Sequence, residues 1–196
     1  MAMDADSKLC LSWLVGERNP EYAYEFIKDI KERIANRIQL STDGHSMYYE
    51  AIEDAFGGDV DYAMIVKHYG TPYDCKGTGR YSPPRIRSAK AKRLNGNPDM
   101  KKVSTSFVER QNLTMRMNMR RFTRLTNGFS KKIENHMYAI ALHFMYYNFA
   151  RVHKSLANPY PRTPAMASGI SDHIWTTEEI VSLINPIIVR QAIFHT

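Results

Sequence analysis

The chain is poor in thiols, and Cys10 and Cys75 are its whole complement. They form no CxxC pair and have no metal-ligand spacing, which excludes a disulfide framework or a cysteine metal knot and reads as buried or bystander thiols of a reducing compartment. Long apolar runs are also missing. No stretch reaches the ~18 residues that a membrane span needs, and residues 1–8 are acidic and lack the apolar core of a signal peptide. Cytoplasmic placement with no membrane partner is therefore expected. Neither GxxxxGK[ST] nor GxGxxG occurs, so no nucleotide cofactor is indicated. Internal repeats and heptad arrays are absent as well, which argues against solenoids and coiled coils.

What is present is an ordinary apolar content, 43% over 196 residues, enough for one sizeable core, together with an unequal distribution of charge. The formal net charge is +7, yet residues 76–132 hold 16 Lys/Arg against only Asp99 and Glu109. That third of the chain sums to +14 and leaves −7 for the rest. So concentrated a positive block attracts polyanions and predicts phosphate contacts with nucleic acid.

The apolar pattern predicts alternating strands and helices. Residues 8–15 read as a strand, and Asn19 with Pro20 opens a helix whose inner face is Ala23, Phe26, Ile27, Ile30 and Ile34. A second strand, with Ile38 and Leu40 alternating against Gln39 and Ser41, ends at Asp43. A helix over 46–56 stops at Gly57-Gly58, and VDYAMIVKHY makes the third strand. This order predicts parallel pairing of the second and third strands, with helices covering the sheet. Residues 70–102, basic and rich in proline and glycine, read as a long loop or insertion. A helix is expected from Ser106, boxed by Glu109, to about Leu125; another starts at Ser130 and runs through IENHMYAIALHFMYYNFARVH, ending before NPYPRTPA; a short capped helix starts at Thr177.

Two acids stand out from this frame. Asp43 lies at the carboxyl end of a strand, where layered α/β proteins collect their ligands, although an Asp before Gly is equally a turn residue. Glu109 shares a helical face with Asn112, Arg116 and Arg120, a lone carboxylate among cations, and reads either as a helix-capping acid or as a metal ligand beside phosphate-holding arginines. Neighbouring candidates have plainer readings. His45 starts a helix, Met115 and Met119 are core contacts, and His136, His143 and His153 lack the acid or cysteine that zinc would need.

The segments TDGHSMY, STSFVERQNLTMR, RRFTRLTNGFSKKIENH, YYNFARVHKSL and RTPAMASGI, in this order, resemble the DDE transposases of bacterial insertion sequences over nearly the whole chain. The resemblance implies an α/β fold of the ribonuclease H-like kind: a mixed sheet with flanking helices, incomplete at its N-terminal strands, plus a C-terminal helical tail. It divides the chain into a core at 1–126, with 70–102 as a basic insertion, and a helical part of the same domain at 127–196. It implies DNA cleavage and strand transfer with two magnesium ions, for which manganese may substitute, and DNA and further copies of the chain as partners. Asp43 matches the family's second Asp and Glu109 its Glu, both as metal ligands. Arg116, Arg120, Lys90, Lys92 and Arg93 are the expected DNA-backbone contacts. The family's first Asp has no counterpart, because Asp4 and Asp6 fall in a hairpin turn, and the alternative is a non-enzymatic DNA-binding remnant. Tyr147, Asn148, Arg151 and His153 are expected to fix the C-terminal helices against the core.

Overall fold

Asn19 sets the first helix: its side chain accepts the Tyr22 amide at 3.0 Å, and Pro20 occupies the first turn, where a missing N–H costs nothing. The resulting helix α1 (Pro20–Glu32) buries Ala23, Phe26, Ile27 and Ile30 and packs on helix α2 (Met47–Phe56), which buries Ala51, Ile52 and Phe56. Gly57, with φ of 55°, ends α2 in a conformation that glycine adopts without penalty. In this computed structural model, residues 1–70, 86–123 and 127–183 are described. They fall into two compact units, one of residues 12–109 and one of residues 1–11 with 110 onward.

The 12–109 unit is built on a three-stranded mixed sheet of order β3-β4-β5. Strand β3 (Ile38–Asp43) runs parallel to β4 (Val60–Tyr69), with Ile38 opposite Val60 and Asp43 opposite Ile65. Val60, Tyr62, Ala63 and Met64 are buried, so β4 is the core strand. The expected strand–helix–strand–helix–strand order and the parallel pair are both present. The strand expected over 8–15 is shorter, confined to β2 (Cys10–Ser12), which pairs with β1 (Ala2–Met3).

The expectation of a loop over 70–102 is overturned in its second half. Residues 86–95 form strand β5 (Ile86–Asn95), antiparallel to β4 from Tyr62 to Tyr69 with two irregularities in register. A ladder of this kind satisfies the amides and carbonyls along the second edge of β4, and Pro98 lies outside the paired stretch. The sequence hid this strand because its alternation is of small residues against cations rather than of apolar against polar. Residues 71–85, the other half of the proposed insertion, lie outside the described residues.

One cluster pins the far end of β5. Arg37 donates to both oxygens of Asp61, at 3.2 and 2.8 Å, and to the Gly58 carbonyl at 2.9 Å. Asp61 also accepts the Asn97 amide at 2.7 Å. Gly96 fits between them with φ of 62°; a Cβ there would lie 2.2 Å from the Asp61 carboxylate and 2.7 Å from the Val60 carbonyl, so no other residue is accommodated.

In the other unit, helix α3 (Ser106–Asn118) contributes Gln111 and Met115, and helix α4 (Ile133–Met145) contributes Ile140 and Phe144. The expected helix to Leu125 stops earlier, because Met119 turns extended and a 3₁₀ turn, Arg120–Phe122, follows. Gly128 presses on that turn, where an added Cβ would stand 2.9 Å from the Arg120 carbonyl. Helix α4 runs on as a π turn, Tyr146–Ala150, which buries Tyr147 and Asn148. Asn148 then performs the tethering expected of it: its amide accepts the Cys10 N–H and donates to the Cys10 carbonyl, both at 3.0 Å, acting as one more rung beside β2. Tyr147 meets His153 edge-on at 4.5 Å. Asp4, in the β1–β2 turn, accepts the Ser7 amide at 2.8 Å and its hydroxyl at 2.5 Å. Short helices α5 (Pro164–Ala167) and α6 (Thr177–Ser182) follow; Thr176 and Glu179 close the latter with a capping box.

Replacing Asn148 by Leu strands a buried amide and carbonyl of Cys10 and should lower unfolding stability by about 2–4 kcal/mol, read from urea midpoints. The Asp61 carboxyl is held down at about 2, from 3.8, chiefly by its bond to Arg37. A depressed carboxyl contributes stability that is fully present above the ordinary value and lost as pH falls toward the folded one. The urea midpoint should therefore fall between about pH 4 and 2 more steeply for the parent chain than for Asp61→Asn.

Candidate functional site

Asp43 closes β3 and is exposed, as the sequence led us to expect. Its parallel partner is Ile65, and the next residue of β4 on the same face is Lys67. One strand across and two residues along separates the Asp43 and Lys67 backbones by ~8 Å. The Lys67 ammonium, whose side chain is only 18% exposed, forms an ion pair with the Glu109 carboxylate in the first turn of α3. The same carboxylate accepts the Thr105 hydroxyl at 2.8 Å. The Lys67 bond draws the Glu109 carboxyl below its usual range, against a smaller opposing effect of burial.

Glu109 therefore does not close a capping box with Ser106. The Ser106 amide is taken instead by the Ser104 hydroxyl at 3.2 Å, which leaves the Glu109 carboxylate free to turn toward the sheet. Both acids belong to the 12–109 unit, and Lys67 is the residue that ties the second acid to the strand flanking the first. Sequence reasoning passed over Lys67. The available signal was a lysine following the apolar run Tyr62 to Val66, near the carboxyl end of the strand.

Asp43 also acts on a small phenol cluster. Burial raises the Tyr48 hydroxyl pKa, and the Asp43 charge raises it further. Tyr62 is raised by burial in the same way, with the Asp43 charge adding to it and a 2.8 Å bond to the Thr42 hydroxyl opposing it. His45 stacks obliquely on Tyr48, with ring centres 5.6 Å apart, and its buried Nδ1 has no partner among the described residues.

The expected DNA-contact residues divide between the two units. Lys90, Lys92 and Arg93 lie on β5 and are exposed. Arg93 pairs with Ala63 and so shares the face of Asp43 and Lys67, whereas Lys90 and Lys92, opposite Val66 and Met64, point to the other face. The strand thus presents cations on both sides. Arg116 keeps its helical spacing from Glu109 on α3. Arg120 does not, because the helix ends at Asn118; it stands exposed on the 3₁₀ turn. Its neighbour Arg121 is committed to structure, donating to Ser130 at 2.7 Å and to the Asn135 carbonyl at 2.6 Å.

Carboxylates are hard oxygen donors of the kind magnesium takes; of these two, Glu109 is already paired with the Lys67 ammonium, and Asp43 closes the neighbouring strand. Among the described residues no group of three His, Cys, Asp or Glu gathers to hold a metal, and Asp4 is bonded to Ser7 in its own turn. No helix of the described residues is long and apolar enough to cross a membrane. The chain matches no protein-family model, no curated protein and no solved structure.

Proposed function

We propose that this chain is the DNA-handling core of a DDE-type transposase with a ribonuclease H-like sheet. The observation that carries the proposal is the Lys67–Glu109 ion pair, which ties the acid of α3 to the strand beside Asp43, in a sheet whose edge strand carries Lys90, Lys92 and Arg93. In this reading the β5 cations and Arg116 hold the phosphate backbone. Asp43 and Glu109 are two of the acids that hold magnesium, which supplies Lewis-acid polarisation of the phosphodiester. Lys67 aims the Glu109 carboxylate at the sheet end; the carboxylate is ionised at neutral pH with or without the pair, and a metal there would take the place of the Lys67 ammonium.

A specific observation favours a second reading. Among the described residues no third acid joins Asp43 and Glu109, and Glu109 already has a lysine cation as its partner. A chain of this kind binds DNA and does not cut it.

DNA binding is read by fluorescence anisotropy across a salt series. Converting Lys90, Lys92 and Arg93 to Gln should flatten the log–log salt slope by about three, close to one per lost phosphate contact. No salt-dependent binding by the parent chain would sink both readings. Nicking of supercoiled DNA in magnesium separates them. Cutting that is lost in Asp43→Asn and in Glu109→Gln supports the enzyme, binding without cutting supports the second reading, and equal cutting by parent and variants removes these acids from the chemistry. Lys67→Met should raise the Glu109 carboxyl pKa toward the ordinary glutamate range, as followed by carboxyl-carbon NMR titration.

A further inference from the structure

Helix α6 is six residues long and none of them is buried. Helices shorter than ~12–15 residues do not stand on propensity alone, so α6 depends on what holds its first turn. Three sets of contacts do so. In the capping box, Glu179 Oε2 accepts the Thr176 amide at 2.7 Å and the Glu179 amide donates to the Thr176 hydroxyl at 3.2 Å. The residue before the cap, Trp175, is fixed to the π turn: its amide donates to the Phe149 carbonyl at 3.0 Å, and the two rings pack with centroids 4.8 Å apart. The third set belongs to His173, whose Nε2 lies 2.8 Å from the other Glu179 oxygen, Oε1, and whose Nδ1 lies 2.6 Å from Asp172 Oδ1.

A neutral imidazole carries one N–H and one lone pair. Between two carboxylates it donates to one and turns its lone pair on the other, whereas the imidazolium donates to both. We propose that His173 is a proton-operated latch, which as imidazolium ties the turn at Asp172 to the first turn of α6 and on losing its proton lets α6 go. The step breaks one N–H···O bond, leaves a lone pair against a carboxylate, and passes the proton to solvent, to which the ring is half exposed.

The charges acting on the ring come from Asp172 in the preceding turn and Glu179 in α6. The bond to Asp172 and then that to Glu179 raise the imidazole above its ordinary value, against a smaller effect of burial. Trp175, stacked on the ring at 6.3 Å, is uncharged. A group raised in the folded state contributes stability that is fully present below its unfolded value, about 6.5 for histidine, and lost as pH rises through the folded one. The latch is therefore shut in mild acid and opens on the alkaline side of about pH 6.5. Exposed ion pairs hold little, so what opens is α6 and not the core of its unit, a local event. The latch does not rest on the DNA reading, and its test contains no DNA.

Carbon NMR of the full chain from about pH 5 to 9, a range that brackets histidine titration, reads both halves of the proposal. The His173 ring signals report the proton, and the α-carbon shifts of Thr177–Ser182 report helix. Both should move with one midpoint above about 6.5, the α-carbons toward coil values as pH rises. His173→Gln, which does not titrate, should abolish the pH response of α6. Asp172→Asn, which leaves the ring and the capping box in place, should lower the midpoint, and it decides the matter if the first variant fails to fold. A ring that titrates while the α6 carbons stay still overturns the proposal. So does a response of α6 that survives in His173→Gln, or a midpoint that Asp172→Asn does not lower.

Discussion

The parallel register of β3 on β4 is the constraint on which the candidate site depends. It sets Asp43 opposite Ile65 and, one pleat further on, presents Lys67 on the same face. A slip of one residue would turn Asp43 and Lys67 to opposite faces. The burial of Val60, Tyr62, Ala63 and Met64 on β4, with helices α1 and α2 packed on one another, supplies the apolar area that forbids the slip. At the far end, the Arg37–Asp61 pair and the tight approach of Gly96 fix where β5 leaves the sheet. Asp43 is thus positioned by contacts that do not include it, whereas Glu109 is oriented by its own pair with Lys67.

Charge is managed differently in the two halves of the 12–109 sheet. On β5 the cations are solvated and spread over both faces, an arrangement that suits a polyanion and also blunts an edge strand against pairing with other chains. At the sheet end the single cation Lys67 is largely covered and matched to one carboxylate. Because Glu109 is more exposed than Lys67, at 54% against 18%, solvent screens the pair; it orients the carboxylate more than it stabilises the fold.

The other unit is held by a polar clasp as well as an apolar core. Asn148 sits on a π turn, where the extra residue per turn rotates its amide toward the backbone of Cys10. Around it, Tyr147, Phe144 and His143 form edge and stacked ring contacts with centroids 5.2 to 6.4 Å apart. Burial there pushes the Tyr147 phenol up to about 12 and lowers the His143 imidazole, so both stay neutral where the rings pack.

By itself the sequence determined the elements with strong local signals. The Asn19–Pro20 start, the alternating β3, the apolar run of β4, the Gly57 stop and the capped helix at Thr177 all come from interactions within a few residues, and these are legible one position at a time. It also located Asp43 at a strand end, because strand ends follow from periodicity. Tertiary structure decided the rest. Strand β5 has no apolar alternation and exists because β4 offers it an unsatisfied edge; α3 ends at Asn118 where Gly128 crowds the Arg120 turn; and Glu109 turns from its own cap to Lys67, forty-two residues away in sequence. Local propensity cannot report such choices, because each partner becomes available only after the chain has brought distant residues within bonding distance.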